Sequence, residues 1–147
     1  MLHLEQCVPA DPRFPLSGPE LMEIFEGLAG CFGLDGWELS LRLVDDREMA
    51  ELNGSFMGCL GPTNILSFPG GEGDWLGDLV LSVDTLARET RLYNQDPHEY
   101  TVRLLAHGLL HLMGHDHGPE MDDLTDLAVT AVRSDPEASV TRIFPSI

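Results

Sequence analysis

A cluster of histidines between His107 and His117 constrains this chain more than any other feature. The segment reads H-G-L-L-H-L-M-G-H-D-H and holds four of the six histidines in the sequence. On a helix, His107 and His111 are one turn apart and face the same side. Gly114 is suited to end that helix in a left-handed turn, and the reversal would bring His117 back toward the same point. The spacing therefore predicts a metal ion bound by His107, His111 and His117.

The number of ligands indicates what kind of metal site this is. Three histidine nitrogens leave one position of a tetrahedral zinc ion open, which is typical of a catalytic zinc rather than a structural one. We therefore expect one zinc ion per chain. The fourth histidine, His115, lies in the turn and is expected to face solvent or to support a ligand. Asp116 is expected to orient a ligand histidine through a hydrogen bond.

Gly108 sets this segment apart from a protease motif with the same histidine spacing. The metzincin metalloproteases carry H-E-x-x-H-x-x-G-x-x-H, in which the glutamate is the general base that activates water. This chain has Gly108 at the position of that glutamate. The sequence therefore disfavours ordinary metalloprotease chemistry.

Two further segments accompany the histidine cluster. Residues 62–69 read P-T-N-I-L-S-F-P, and residues 77–81 read G-D-L-V-L. With these segments and the pattern H-G-x-L-H-L-x-G-x-D-H, residues 36–133 resemble the YbeY-type rRNA maturation endoribonucleases. The resemblance implies a metal-dependent endoribonuclease that acts in ribosome biogenesis.

The resemblance also implies a site and a substrate. His107, His111 and His117 would be the zinc ligands, and the substrate would be single-stranded RNA, notably the 3′ end of small-subunit ribosomal RNA. Asp78 and Ser67 are candidate catalytic residues by family position, although Asp78 would also suit a turn cap and Ser67 a hydrogen bond to backbone. The expected partners are ribosomal RNA and the small ribosomal subunit or its assembly factors.

The chain departs from the family pattern at two positions. His115 stands where the family has tyrosine, which keeps a polar ring in the turn. Met57 stands where the family usually has an arginine, in the loop that leads into P-T-N. An arginine there would bind or polarise a phosphate, which methionine cannot do, and Cys59 supplies no positive charge in its place.

Composition and charge limit the function classes. A chain of 147 residues with 43% hydrophobic content predicts one domain with its own core. Its net charge of −17, with arginine but no lysine, should repel a phosphate backbone. We therefore expect weak RNA affinity unless a partner or the ribosome delivers the substrate. Arg88 and Arg91, three apart on a predicted helix, and the metal would supply local positive charge.

The cysteines and the hydropathy pattern indicate a compartment. Cys7, Cys31 and Cys59 are few and widely spaced, which favours free thiols in a reducing compartment. We find no signal-peptide pattern and no apolar run that approaches the roughly 20 residues needed to span a bilayer. The sequence therefore predicts a cytoplasmic protein without a membrane partner.

Two other functions are compatible with the sequence. A zinc hydrolase of another substrate, such as a peptide or small ester, would need a general base that Gly108 does not provide. A non-catalytic ribosome-assembly factor stabilised by its metal would not need the missing arginine. These remain alternatives to the endoribonuclease.

The remaining patterns predict an α+β fold, in which a small mixed sheet packs with helices around a central metal-bearing helix. Alternation and turn residues predict four strands, and capping residues predict five helices. The predicted strands are 2–8, 37–44, 63–68 and 77–83. The predicted helices are 18–32, 46–53, 84–93, 97–113 and 119–133, with a glycine-rich loop at 54–61 and a loosely held tail at 134–147.

Overall fold

The computed structural model describes residues 1–9, 11–34 and 36–132. Within them the chain forms four strands and five helices. In order these are β1 (Leu2–Gln6), α1 (Gly18–Phe32), β2 (Glu38–Val44), α2 (Asp46–Met57), β3 (Ile65–Pro69), β4 (Trp75–Ser82), α3 (Val83–Leu92), α4 (Pro97–Leu112) and α5 (Pro119–Ala131). The predicted tail, residues 134–147, lies outside the described residues.

The four strands form one mixed sheet in the order β1-β2-β4-β3. β1, β2 and β4 are parallel, and β3 runs antiparallel to β4 at the edge. Leu39, Leu41 and Leu43 of β2 are buried, as the alternation of that strand predicts. The predicted α+β fold with a small mixed sheet is confirmed.

Helix α4 packs in the main core of the protein. It contacts β3 and β4 on one side and α5 on another. Leu105 and Leu109 are buried in the core that α4 shares with α1 and the leucines of β2 and β4. A smaller cluster around Met49 and Val80 covers the opposite face of the sheet beneath α2. The helix that bears the histidines is therefore held on most sides, which fixes the positions of its side chains.

The starts of α1 and α4 follow their capping residues. Ser17 and Glu20 form the predicted capping box at the start of α1. At the start of α4, Asp96 accepts a hydrogen bond from the backbone N–H of Glu99 at 2.9 Å, and Pro97 occupies the first turn. Each such cap stabilises a helix by about 1 kcal/mol.

The predicted end of α2 is wrong. The sequence predicted a helix over 46–53 and a loop from Gly54, but α2 continues to Met57 and ends at Gly58, which is left-handed with φ of 65°. A glycine inside a helix costs only about 1 kcal/mol relative to alanine. The packing of α2 through Met49 and the glycine cap after Met57 outweigh that cost. Met57 is therefore a helix terminus and not a loop residue.

Smaller differences concern other boundaries. β1 ends at Gln6 instead of Val8, and Asp45, not Asp46, caps α2. α3 begins at Val83, because the Ser82 side chain accepts the capping hydrogen bond. The described part of α5 ends at Ala131. No helix in the described ranges has the length and apolar character that a membrane span requires.

Candidate metal centre

Three histidines converge where helix α4 ends and the chain turns back. One ligand nitrogen from each of His107, His111 and His117 lies within 4.8 Å of those of the other two. The ring centroids are 4.7 to 4.9 Å apart. His107 and His111 are partly buried on α4, whereas His117 is exposed. The described residues therefore contain a three-histidine group that can hold a metal ion.

The turn at Gly114 brings His117 into this group. Gly114 has φ of 92°, a left-handed conformation that side chains disfavour. Its N–H donates to the carbonyl of His111 at 3.0 Å, and the N–H of His115 donates to the carbonyl of Leu110 at 3.0 Å. These hydrogen bonds close the helix end and reverse the chain, as the sequence predicted.

A backbone contact orients His111. Its Nδ1 lies 3.0 Å from the carbonyl oxygen of His115 and therefore carries the proton that it donates. The other nitrogen, Nε2, is left with its lone pair and lies 3.3 Å from Nε2 of His107. His115 thus supports the site through its backbone. Asp116 is exposed and lines the same cleft. The partner of His111 Nδ1 is the carbonyl oxygen of His115 and not the Asp116 carboxylate.

The electrostatic environment favours neutral histidine. Burial lowers the pKa of His107 below its usual value, and the neighbouring His111 and His117 lower it further. The charge of Asp122 acts in the opposite direction and is weaker. Because only a neutral imidazole binds a metal, this shift favours the form that ligation requires.

The histidines lie in an open cleft of about 590 Å³. One wall comes from the end of α2 and from β3 with the residues before it, and the other from α4 and the turn after it. Met57 lines the cleft at the end of α2. The lining residues are Met57, Thr63, Asn64, Ile65, Leu66, Ser67, Pro69, His107, His111, Gly114, His115, Asp116 and His117.

Ser67, which lines this cleft, joins β3 to α4 through a hydrogen bond to Gly108. The Ser67 hydroxyl donates to the carbonyl oxygen of Gly108 at 2.9 Å. A Cβ at position 108 would lie 2.7 Å from Cδ1 of Ile65 and 3.0 Å from Cδ2 of Leu79. Gly108 therefore lets the helix approach the sheet closely. At this position a glutamate, as in the metzincin motif, would have no room.

Asp78 does not lie with the histidines. Leu79 faces α4, so its neighbour Asp78 points to the opposite face of the sheet. There its carboxylate accepts a hydrogen bond from the Ser40 hydroxyl of β2 at 2.5 Å. The expectation that Asp78 acts at the metal is corrected by this placement, because the sheet separates the two groups.

A hydrogen-bonded group behind the cleft was not foreseen from the sequence. The Asn64 side-chain amide donates to Glu89 Oε1 at 3.0 Å, and the Tyr100 hydroxyl donates to the same oxygen at 3.0 Å. Burial, followed by the bond to Glu89, raises the pKa of Tyr100. Asn64 belongs to the P-T-N segment, but Glu89 lies 25 residues away. Only the folded chain brings them together.

The arginines of the described ranges lie outside the cleft. Arg88, one of the two expected to attract RNA, pairs with Asp46 at 2.8 Å, and Arg91 lines a separate small cavity. The other ion pairs are Arg13–Asp11, Arg42–Glu5, Arg42–Glu48, Arg47–Glu51 and Arg103–Asp126. The expected positive helix face therefore does not contribute to the site.

A family model described as Endoribonuclease YbeY matches residues 20–128 of this chain. A curated Endoribonuclease YbeY from Oleidesulfovibrio alaskensis is 44% identical, over 77% of this chain and 81% of its own length. Another from Nitratidesulfovibrio vulgaris is 41% identical, over 79% of this chain and 85% of its own length.

The fold also has a match among solved structures. A Thermotoga maritima protein solved in solution is similar with a TM-score of 0.64 and 27% identity. The match covers 92% of this chain and 94% of the other. The likeness therefore extends over most of both chains.

Proposed function

Because this chain belongs to the endoribonuclease YbeY family, we propose that it is a zinc-dependent endoribonuclease that cuts single-stranded RNA. Its substrate in the cell would be the 3′ end of small-subunit ribosomal RNA, which makes it a cytoplasmic enzyme of ribosome biogenesis. The observation that carries the proposal is the convergence of His107, His111 and His117 in an open cleft.

The spacing of the two nitrogens on α4 supports zinc. Two nitrogens each about 2.0 to 2.1 Å from a tetrahedral zinc ion lie about 3.3 to 3.4 Å apart. The Nε2 atoms of His107 and His111 are 3.3 Å apart. The Nδ1–H of His111 is engaged by a backbone carbonyl, as is usual for a ligand histidine. We propose that Nε2 of both residues and one nitrogen of His117 bind the metal.

The chemistry follows from the residues that surround this group. When bound, the metal would polarise a phosphate oxygen and lower the pKa of a water molecule. The Ser67 proton is committed to the Gly108 carbonyl. Its oxygen can therefore accept a hydrogen bond from a water or a ribose hydroxyl and orient it. Asp116 would position His107 or His117, since the backbone already orients His111.

Charge indicates how the substrate arrives. The chain has a net charge of −17, and the cleft contains no arginine from the described part of the chain. Long-range attraction of free RNA is therefore weak. We propose that the small ribosomal subunit or an assembly factor presents the RNA to this enzyme.

Replacing His117 with alanine tests the proposal. The wild-type protein should contain close to one zinc ion per chain by elemental analysis and should cut single-stranded RNA. His117→Ala leaves helix α4 intact, but it should lose the activity and most of the zinc. His3→Ala is a matched control, because His3 is exposed on β1, away from the cluster. A contaminating nuclease would not respond to His117→Ala.

A non-catalytic assembly factor is the second candidate, and Met57 at the arginine position favours it. In that case wild type and His117→Ala would degrade RNA equally. The metal would then be structural, so the melting temperature of His117→Ala would fall markedly instead. A peptide hydrolase is disfavoured, because Gly108 provides no base and has no room for one.

A further inference from the structure

One wall of the cleft is electrically neutral. The segment from Leu52 to Gly71, which lies between Glu51 and Glu72, has no charged side chain and no histidine. It supplies every lining residue opposite the histidine turn, from Met57 to Pro69. Charged residues make up 22% of the sequence, but none of them lies in this segment of 20 residues. We call residues 52–71 the neutral wall.

The outer edge of the neutral wall exposes large apolar side chains. The exposed fractions are 65% for Phe56, 48% for Met57 and 101% for Leu60. The Phe56 ring makes an edge contact with the Phe68 ring, with the two ring centroids 5.3 Å apart. Much of the Phe56 ring remains exposed. We call Phe56–Leu60 the apolar rim. The apolar rim adjoins the three histidines, because Met57 lines the same cleft.

The opposite side of the cleft is acidic. Asp116 lines the cleft itself, Glu120 and Asp122 follow in the first turn of α5, and Asp123 comes directly after them, all exposed. A strand of RNA is therefore repelled from this side at its phosphates. On the neutral wall it meets neither repulsion nor attraction, so its phosphates have no partner there.

We infer that the cleft binds single-stranded RNA through its bases, which pack on the apolar rim, while the phosphates are contacted only at the metal. This rests on the proposed function. Bases of single-stranded RNA are free to stack, and stacking on protein side chains needs no positive charge. A nucleotide fits both features of the cleft. Its uncharged base can pack on the apolar rim, and its phosphate can reach the metal beside the rim.

The dependence of binding on salt tests the first half of the inference. Each phosphate contacted in a single strand contributes a slope of about −0.7 to the plot of log K against log salt. We expect a slope no steeper than about −1 for the zinc-loaded full chain and a labelled oligouridine of about ten nucleotides. An abasic oligonucleotide of the same length keeps the phosphates and should bind at least about 5-fold more weakly. A steeper slope, or equal binding of the abasic strand, overturns the inference.

Two serine variants test the second half. Phe56→Ser should raise the Kd for oligouridine by about 5- to 150-fold, which is the range for losing one base stacked on an aromatic ring. Leu60→Ser should also raise the Kd, by less, because leucine offers apolar contact without a ring. Leu60 is fully exposed, so its replacement leaves the fold unchanged. Leu92→Ser is the matched control, because Leu92 is 71% exposed on α3 and does not line the cleft. Unchanged Kd in both rim variants would mean that the rim has another occupant, such as a protein, and would refute the inference.

The two proposals fail in different ways. Metal-dependent cleavage that His117→Ala abolishes supports the endoribonuclease whatever the rim variants do. Loss of binding in the rim variants concerns only how RNA is held. An RNA-cutting enzyme with a steep salt slope would retain the proposed function and lose this inference.

Discussion

Replacing Gly108 with alanine is expected to destabilise the protein, although alanine is the better helix former. The added Cβ would lie 2.7 Å from Cδ1 of Ile65 and 3.0 Å from Cδ2 of Leu79. Both neighbours belong to strands on which α4 packs, so the helix or these side chains must move. The variant therefore measures how closely helix α4, which carries His107 and His111, is held against the sheet.

Two opposing effects set the magnitude. Alanine stabilises a helix by about 1 kcal/mol relative to glycine. Overpacking a filled core costs about 1 to 3 kcal/mol. The net loss for Gly108→Ala is therefore about 0 to 2 kcal/mol. Gly30→Ala in α1 is the matched control, because its Cβ would meet nothing within 4 Å. It should gain about 0.5 to 1 kcal/mol, which puts the two variants about 0.5 to 3 kcal/mol apart.

Urea denaturation followed by circular dichroism gives these free energies of unfolding. Chelator should be present throughout, so that metal binding does not add to the measured stability. Ile65→Val removes the Cδ1 atom that the new Cβ meets first. In a double-mutant cycle, Gly108→Ala and Ile65→Val should therefore couple favourably by about 1 kcal/mol. Equal gains in Gly108→Ala and Gly30→Ala, with no coupling to Ile65, would refute the close packing of α4 on β3.

Three other substitutions have defined outcomes. Met57→Arg should raise kcat/KM for RNA by about 10-fold. This is the lower end of the range for a charge-assisted contact, because Met57 is half exposed. The gain should shrink as the salt concentration is raised. Burial alone would raise the pKa of Asp46, but hydrogen bonds led by that from Arg88 outweigh it and lower the pKa below 3.8. Asp46 therefore stabilises the fold above about pH 4, and the stability difference of about 1 to 2 kcal/mol between wild type and Asp46→Asn should disappear as pH falls through the folded pKa. Ser67→Ala should lower kcat with little change in KM, and should destabilise by about 1 kcal/mol because Gly108 loses a hydrogen bond.

Local patterns in the sequence were enough to predict the histidine group. The positions of His107 and His111 follow from helix geometry, and Gly114 supplies a conformation that few other residues adopt. The caps at Ser17 and Asp96 depend on side chains within three residues, so they too were predicted. Features that arise from neighbouring residues can be read without knowing the fold.

Asp78 shows what the sequence could not decide. In the run G-D-L-V-L each face carries an apolar side chain, Leu79 on one and Val80 on the other, so the pattern does not indicate which side meets α4. Strand pairing and the packing of α4 put Leu79 against α4 and Asp78 on the other face of the sheet. In the sequence, Gly108 indicated only that the protease glutamate is missing. The structure shows that a glycine is needed there, because α4 packs closely on the sheet at this position.

The end of α2 and the surroundings of Asn64 also depended on tertiary structure. Gly54 alone favours a loop. Met49 packs α2 against the sheet, however, and the helix continues to Met57. Asn64 bonds to Glu89, 25 residues away. Local propensity therefore determined which residues form the three-histidine group. Long-range packing decided which residues share its cleft, because the face that a side chain occupies depends on contacts between elements distant in the sequence.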